Sequence, residues 1–252
     1  MASNNVRHII LVGLGNKTHP GTRHNVGMMA LDYIAAKHGC TWTRKPSWDA
    51  DVAETTIRIK QKRPKPPKAK VKPVKEVTEG DDAAPATPTI TTSTTPCVGS
   101  AIPNPAPPQY LELHLIMIKS WMAMNICGPT FAKALRDSNL TAQDVVVMHD
   151  DMERDIGKLS MKQSGSANGH NGVLSITKHF KTDHFRRLRM GIGRPSGGTR
   201  RPNDVARYVL GKFKPNELAV LEDVVYEQTL QQIIQVFSAA TAKAAHSTQK
   251  QK

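Results

Sequence analysis

Asn16 and His24 stand eight residues apart, just after an apolar run from Ile9 to Val12 and the bend Gly13-Leu14-Gly15. An imidazole with an ordinary pKa near 6.5 is largely neutral at pH 7, so it can take a proton from an attacking water. An amide binds peptide N–H and C=O groups in both directions, and its N–H can stabilise a developing oxyanion without adding net charge. Three later clusters repeat these side-chain types: Met124-Asn125, His149-Asp150-Asp151 and Gly169-His170-Asn171-Gly172. Such a set has the layout of a reaction site. The chain has no Gly-x-Ser-x-Gly elbow, so a serine nucleophile lacks support. Each residue taken alone has a plainer use as a helix or loop cap; four of them meeting on one rim is what the fold must deliver.

That task falls to alternating strands and helices. Residues 7–14 read as a buried strand, and Val26, Met29, Ala30 and Ile34 recur at helical spacing within 25–38. Further strands are predicted over 50–59, 110–118, 145–148, 158–162 and 188–192, the first two of these pairing as an antiparallel hairpin. Helices are predicted over 129–138, 173–180, 203–210 and 215–245. The order implies an α/β fold, a three-layer α/β/α sandwich around a mixed, mostly parallel sheet in a single domain. Ligand sites of open α/β sheets lie beyond the carboxyl ends of strands, which is where the polar clusters fall. A dinucleotide fingerprint is not completed after Gly15, since the third glycine and the later acidic residue are both missing. No cofactor is expected.

One stretch reads differently. Arg58 to Lys75 holds nine basic residues and no acidic one, broken by Pro64, Pro66, Pro67 and Pro73, and a Thr/Pro-rich tract continues to Pro108. Almost no large apolar side chain is present to offset the entropy of ordering, so 60–108 is predicted to be a disordered insertion. The folded domain is then 6–59 together with 109–246, and 247–252 is a polar tail. The formal charge of +14 is not confined to the insertion, because Lys181 to Lys214 holds ten basic residues against Asp183 and Asp204. A basic folded part suits a polyanionic partner. Cys40, Cys97 and Cys127 lie far apart without metal-ligand spacing, and no apolar run reaches the about 18 residues of a membrane span. Met1-Ala2-Ser3-Asn4-Asn5 resembles neither a secretory segment nor an arginine-rich transit helix. The compartment expected is the cytoplasm, with the mitochondrion as the alternative.

The blocks Gly13-Leu14-Gly15-Asn16, Thr22-Arg23-His24-Asn25-Val26-Gly27, Met124-Asn125, His149-Asp150-Asp151, Gly169-His170-Asn171-Gly172 and Arg187-Leu188-Arg189-Met190-Gly191-Ile192-Gly193 together resemble the bacterial-type peptidyl-tRNA hydrolases. Six blocks in the family's order flank the insertion. The resemblance implies a monomeric, metal-free esterase that cleaves the bond between a peptide and the ribose of tRNA. It assigns His24 as general base and Asp150 as the carboxylate that supports it. It also assigns Asn16, Asn125 and Asn171 to the peptide backbone and the reacting water, and Lys162 and Arg189 to tRNA. Arg186, Arg187, Arg194, Arg200 and Arg201 are further tRNA candidates on charge alone. The alternative on the same fold is a non-catalytic tRNA-binding or RNA-binding protein; a metal-dependent hydrolase lacks a ligand set. Three departures from the family pattern bear on the peptide pocket. The Asn16–His24 loop is two residues short and lacks a tyrosine, its place expected to be partly filled by His19. Ala123 and Cys127 replace an aromatic and a serine, and Ser166-Ala167-Asn168 replaces a more glycine-rich stretch.

Overall fold

The computed structural model describes residues 6–60, 110–195, 197–198 and 201–249, with side chains up to 239. The insertion predicted over 60–108 and the tail predicted over 247–252 therefore lie largely outside the described residues, as does Arg200. A single seven-stranded sheet organises what is described. Its strands are β1 (Val6–Gly13), β2 (Thr43–Lys45), β3 (Ala50–Lys60), β4 (Tyr110–Ser120), β5 (Val145–Asp151), β6 (Leu159–Lys162) and β7 (Arg186–Gly191), in the order β2-β3-β4-β1-β5-β7-β6. β1 pairs in parallel with β4 and β5, and β5 with β7, while β2–β3, β3–β4 and β6–β7 are antiparallel.

Central parallel strands are covered on both faces and so tolerate an unbroken apolar run. Ile9 to Val12 is such a run, with every side chain at most 1 % exposed. Ile9 and Leu11 face α1 (Val26–Lys37) and α6 (Tyr226–Gln249), joining Leu31, Ile34, Ile233 and Phe237. Ile10 and Val12 face α2 (Gly128–Asp137) and α3 (Asn171–Phe180), joining Phe131, Ala134, Val173 and Ile176. Two cores on two faces make the predicted α/β/α sandwich. The remaining helices are α4 (Pro202–Val209) and α5 (Pro215–Val220), and a π-helical stretch, Leu221–Val225, leads from α5 into α6. Among the described residues no helix is long and apolar enough to cross a membrane.

The predicted hairpin forms in full: β3 and β4 pair from Ala50↔Ser120 to Lys60↔Tyr110, which closes the ends of the segment 61–109 as cross-strand neighbours. Other elements differ from expectation at their ends. The apolar run of β5 stops at Met148, yet its pairing continues to Asp151↔Gly191, so His149 and Asp150 lie inside a strand rather than beyond one. β6 also differs. It is antiparallel to β7, so its carboxyl end points away from those of β1, β4, β5 and β7, and residues 163–170 must cross back to deliver His170 and Asn171.

Candidate active site

A tight contact between α1 and the sheet fixes the first catalytic candidate. A Cβ at Gly27 would lie 2.2 Å from the Met148 carbonyl oxygen and 2.9 Å from the Leu14 nitrogen, and one at Gly13 would lie 2.6 Å from the Gly27 oxygen. Only glycine lets the start of α1 come so close to β1 and β5. His24 sits in the 3-10 turn Arg23–Asn25 just before this contact, and both neighbours anchor the turn. Arg23 is buried, donating to the Lys212 carbonyl and to Glu217 Oε2, each at 2.7 Å, with its guanidinium against the Tyr208 ring. Asn25 brackets the backbone of Asn16: its Oδ1 accepts from the Asn16 N–H at 2.8 Å and its Nδ2 donates to the Asn16 carbonyl at 3.0 Å.

His24 thereby meets Asp150, Nδ1 to Oδ1, at 2.7 Å. His170 reaches the same oxygen through Nε2 at 3.0 Å. Asp150 is 4 % exposed, and burial alone would raise its pKa, but the two imidazoles outweigh this and hold the carboxyl far below the usual range. An ionised carboxylate accepts only, so both rings must donate to it. His24 is therefore protonated on Nδ1 when neutral, which leaves the Nε2 lone pair for a water. For His170, Nδ1 is left to accept from the Val173 N–H at 3.4 Å, capping α3. Burial lowers the His24 pKa, while the charge and hydrogen bond of Asp150 raise it more, so the net shift is upward from 6.5. His149 is the opposite case. Buried, next to His170 and donating from Nδ1 to the Asp150 carbonyl oxygen at 2.7 Å, it is pushed down to about 3. Its imidazole stays neutral.

Around this centre lies a cleft of about 1010 Å³ lined by Asn16, His24, Asn125, Asp150, Lys162, Asn171 and Arg189, so all seven residues singled out from the sequence face one space. The Asn16 Oδ1 accepts from the Met124 N–H at 2.8 Å, which turns the amide Nδ2 of Asn16 toward the cleft as a donor. Asn125 and Asn171 are exposed and make no hydrogen bond through their side chains to the described residues. His19 also lines the cleft, held by its neighbour Thr18 at 2.8 Å. Pro202, Val205, Ala206, Val209 and Leu210 supply an apolar wall from α4 that the sequence reading did not assign.

The sequence and the fold have known counterparts. The profile of the family described as peptidyl-tRNA hydrolase matches residues 10–69 and 108–252. The chain belongs to the peptidyl-tRNA hydrolase family. Among its relatives, a probable peptidyl-tRNA hydrolase of Mus musculus is 31% identical over 222 residues, 87% of this chain and 81% of that protein. The peptidyl-tRNA hydrolase of Ligilactobacillus salivarius is 29% identical over 216 residues, 85% of each chain. The crystal structure of peptidyl-tRNA hydrolase from Acinetobacter baumannii superimposes with a TM-score of 0.63 at 21% identity, covering 96% of this chain and 93% of that one, a likeness of fold.

In this peptidyl-tRNA hydrolase-family chain the basic residues divide by burial. Lys162 faces the cleft, and Arg189 does so while donating to Ser160 Oγ at 2.9 Å. Arg187 was a candidate for tRNA on charge alone, but it is 2 % exposed and its guanidinium donates to the carbonyls of Ser164, Gly165 and Ser166, at 2.5 to 2.9 Å. It is the strut that carries residues 163–170 back across the sheet. Arg186 is engaged by the Gln143 carbonyl and Arg194 by Glu153. His170 and Asn25, which sequence reasoning left without a role, thus shape the site, as does Arg187, which charge alone made a tRNA candidate. All three stand inside the quoted motifs, but for Arg187 only burial could tell a strut from a tRNA contact.

Proposed function

We propose that this chain hydrolyses the ester between a peptide and tRNA, releasing both. The observation that carries the reading is the 2.7 Å contact between His24 Nδ1 and Asp150 Oδ1, which leaves His24 Nε2 as a base in a cleft lined by three asparagine amides. A water bound at Nε2 gives its proton to the imidazole as its oxygen attacks the ester carbonyl carbon. The carbonyl electrons move onto oxygen, where an amide N–H such as Asn16 Nδ2 can meet the charge; one such donor is worth about 10²- to 10³-fold. Collapse of this intermediate breaks the bond to the ribose oxygen, which takes the proton back from the imidazolium. Asp150 stays ionised throughout and steadies the charged ring, a base-and-support arrangement worth roughly 10²- to 10⁴-fold.

Lys162 and Arg189 are assigned to tRNA phosphates, as point and forked cations at one side of the cleft. No metal is needed for these steps. The donor atoms of His24, Asp150 and His170 lie within 4.8 Å of one another, but both rings spend N–H groups on the carboxylate, and a cation there would have to displace those protons. We take the chain to act as a monomer, as the family resemblance implies, and a cytoplasmic setting fits a substrate produced by translation. The test is release of tRNA from N-acetyl-aminoacyl-tRNA with and without EDTA. Release that resists the chelator and vanishes in His24→Ala is expected; tRNA binding without release would overturn the reading in favour of a non-catalytic RNA-binding protein, and loss with EDTA would overturn the metal-free scheme.

A further inference from the structure

The proposed tRNA contacts, Lys162 on β6 and Arg189 on β7, lie on one side of His24 in the sheet order. If the ester sits at His24, the peptide must leave toward β1, β4 and the β3–β2 edge. On that side the cleft is lined by Asn16 and Ala123; Lys17 follows the first in the chain and Trp121 lies two residues before the second. Ala123 is exposed and offers only a methyl group there.

Trp121 is built in rather than loosely placed. Its backbone N–H donates to the Asp49 carbonyl at 2.8 Å, and the following turn is tied by the Met122 N–H donating to Ser120 Oγ at 3.0 Å. Two cations flank its ring, Lys17 Nζ at 4.9 Å and Arg44 Cζ at 5.0 Å from the centroid. Lys17 is paired with Asp51 at 3.0 Å. Arg44, exposed on the edge strand β2, has no carboxylate within salt-bridge distance among the described residues. The cluster therefore carries one uncompensated positive charge beside an aromatic surface.

We propose that Trp121, Lys17 and Arg44 form a subsite for the peptide two to four residues upstream of the cleaved ester, and that it favours acidic side chains there. The inference rests on the hydrolase reading above. A carboxylate on the peptide meets Arg44, and its aliphatic stem lies along the indole. Exposed ion pairs and cation–π contacts are individually weak, so the selectivity expected is modest, about five-fold.

The test compares two substrates on one tRNA with the same esterified residue X, acetyl-Glu-Glu-Glu-X and acetyl-Lys-Lys-Lys-X. The rate ratio cancels any general change in activity. The intact chain is expected to favour the Glu substrate about five-fold in kcat/KM, mainly through KM. Trp121→Ala is expected to bring the ratio near one, and Arg44→Glu to invert it. Arg44 is exposed, so its variant stands as the test even if Trp121→Ala does not fold. The free peptides, titrated while following the indole NMR signal of Trp121, read the subsite without turnover. Hydrolysis with a ratio of one, or a ratio unmoved by Arg44→Glu, overturns the subsite while leaving the hydrolase reading intact. Selective peptide binding at Trp121 in a chain that hydrolyses neither substrate would do the reverse.

Discussion

Asp150 Oδ1 accepts from His24 Nδ1 at 2.7 Å, and that one contact sets the tautomer of His24, the proposed base, and raises its proton affinity. Because the carboxylate raises the His24 pKa above 6.5, the neutral, active form is lost as pH falls through a value higher than an ordinary histidine would show. Asp150→Asn removes the raising influence and leaves burial, which lowers the pKa. The acid limb of kcat/KM should then move to lower pH while its plateau drops by about 10²- to 10⁴-fold. A pH–rate profile of both proteins checks the two effects together; a limb that stays in place would detach Asp150 from the base.

Lys162 and Arg187 are both basic, both near the cleft, and should respond in opposite ways. Lys162→Ala is expected to weaken tRNA binding and to reduce the slope of log K against log salt by about 1, with little change in stability. Arg187→Ala leaves three carbonyls without their donor and should destabilise the fold by roughly 2–4 kcal/mol, as loss of a buried, multiply bonded charge does. Its salt slope should be unchanged. Binding titrations at several salt concentrations and denaturant unfolding separate them.

His149 makes a prediction about acid. In the folded chain its pKa is pushed down to about 3, so the unfolded chain takes up a proton below pH 6.5 that the folded one refuses. Stability from this residue therefore falls as pH drops between 6.5 and about 3, by roughly 2 kcal/mol at pH 5. His24, whose pKa is raised, works the other way, stabilising below 6.5 and losing that contribution as pH rises through its folded value. The comparison that isolates His149 is urea unfolding of wild type and His149→Gln at pH 7 and pH 5. The variant should lose less stability between the two.

Lys60 and Tyr110 are cross-strand partners at the end of the β3–β4 ladder. Replacing residues 61–109 by Asn-Gly should therefore preserve the hairpin. For a segment that behaves as its composition predicts, loop-closure entropy falls by about 3 kcal/mol on this shortening. The shortened protein is expected to be more stable by up to about that amount and to keep its hydrolysis rate. An unfolded product would mean that 61–109 contributes contacts to the domain.

Physical scale decided what the sequence could disclose. β1 was legible because a central parallel strand needs an unbroken apolar run, and the β3–β4 hairpin because its strands alternate. β2 was not, because three polar residues, Thr43 to Lys45, carry no period. The end of β5 was missed for a related reason, since its pairing with β7 holds His149 and Asp150 in a strand after the apolar residues stop. The site itself was legible as residue types, and all seven assigned residues line one cleft. What escaped was connectivity. His170 could not be joined to Asp150 without the crossing of 163–170, and charge alone could not tell the buried Arg187 from the cleft-facing Lys162.

Gly13 and Gly27 meet main chain to main chain, with no side chain between them. The separation of His24 from Asp150 is thus inherited from backbone contact and does not depend on which aliphatic groups fill the two cores. Core residues are then free to drift as long as their volume is kept, while the catalytic distance stays fixed. A lineage can in this way accumulate core substitutions while the geometry of the site stays uncoupled from most of them.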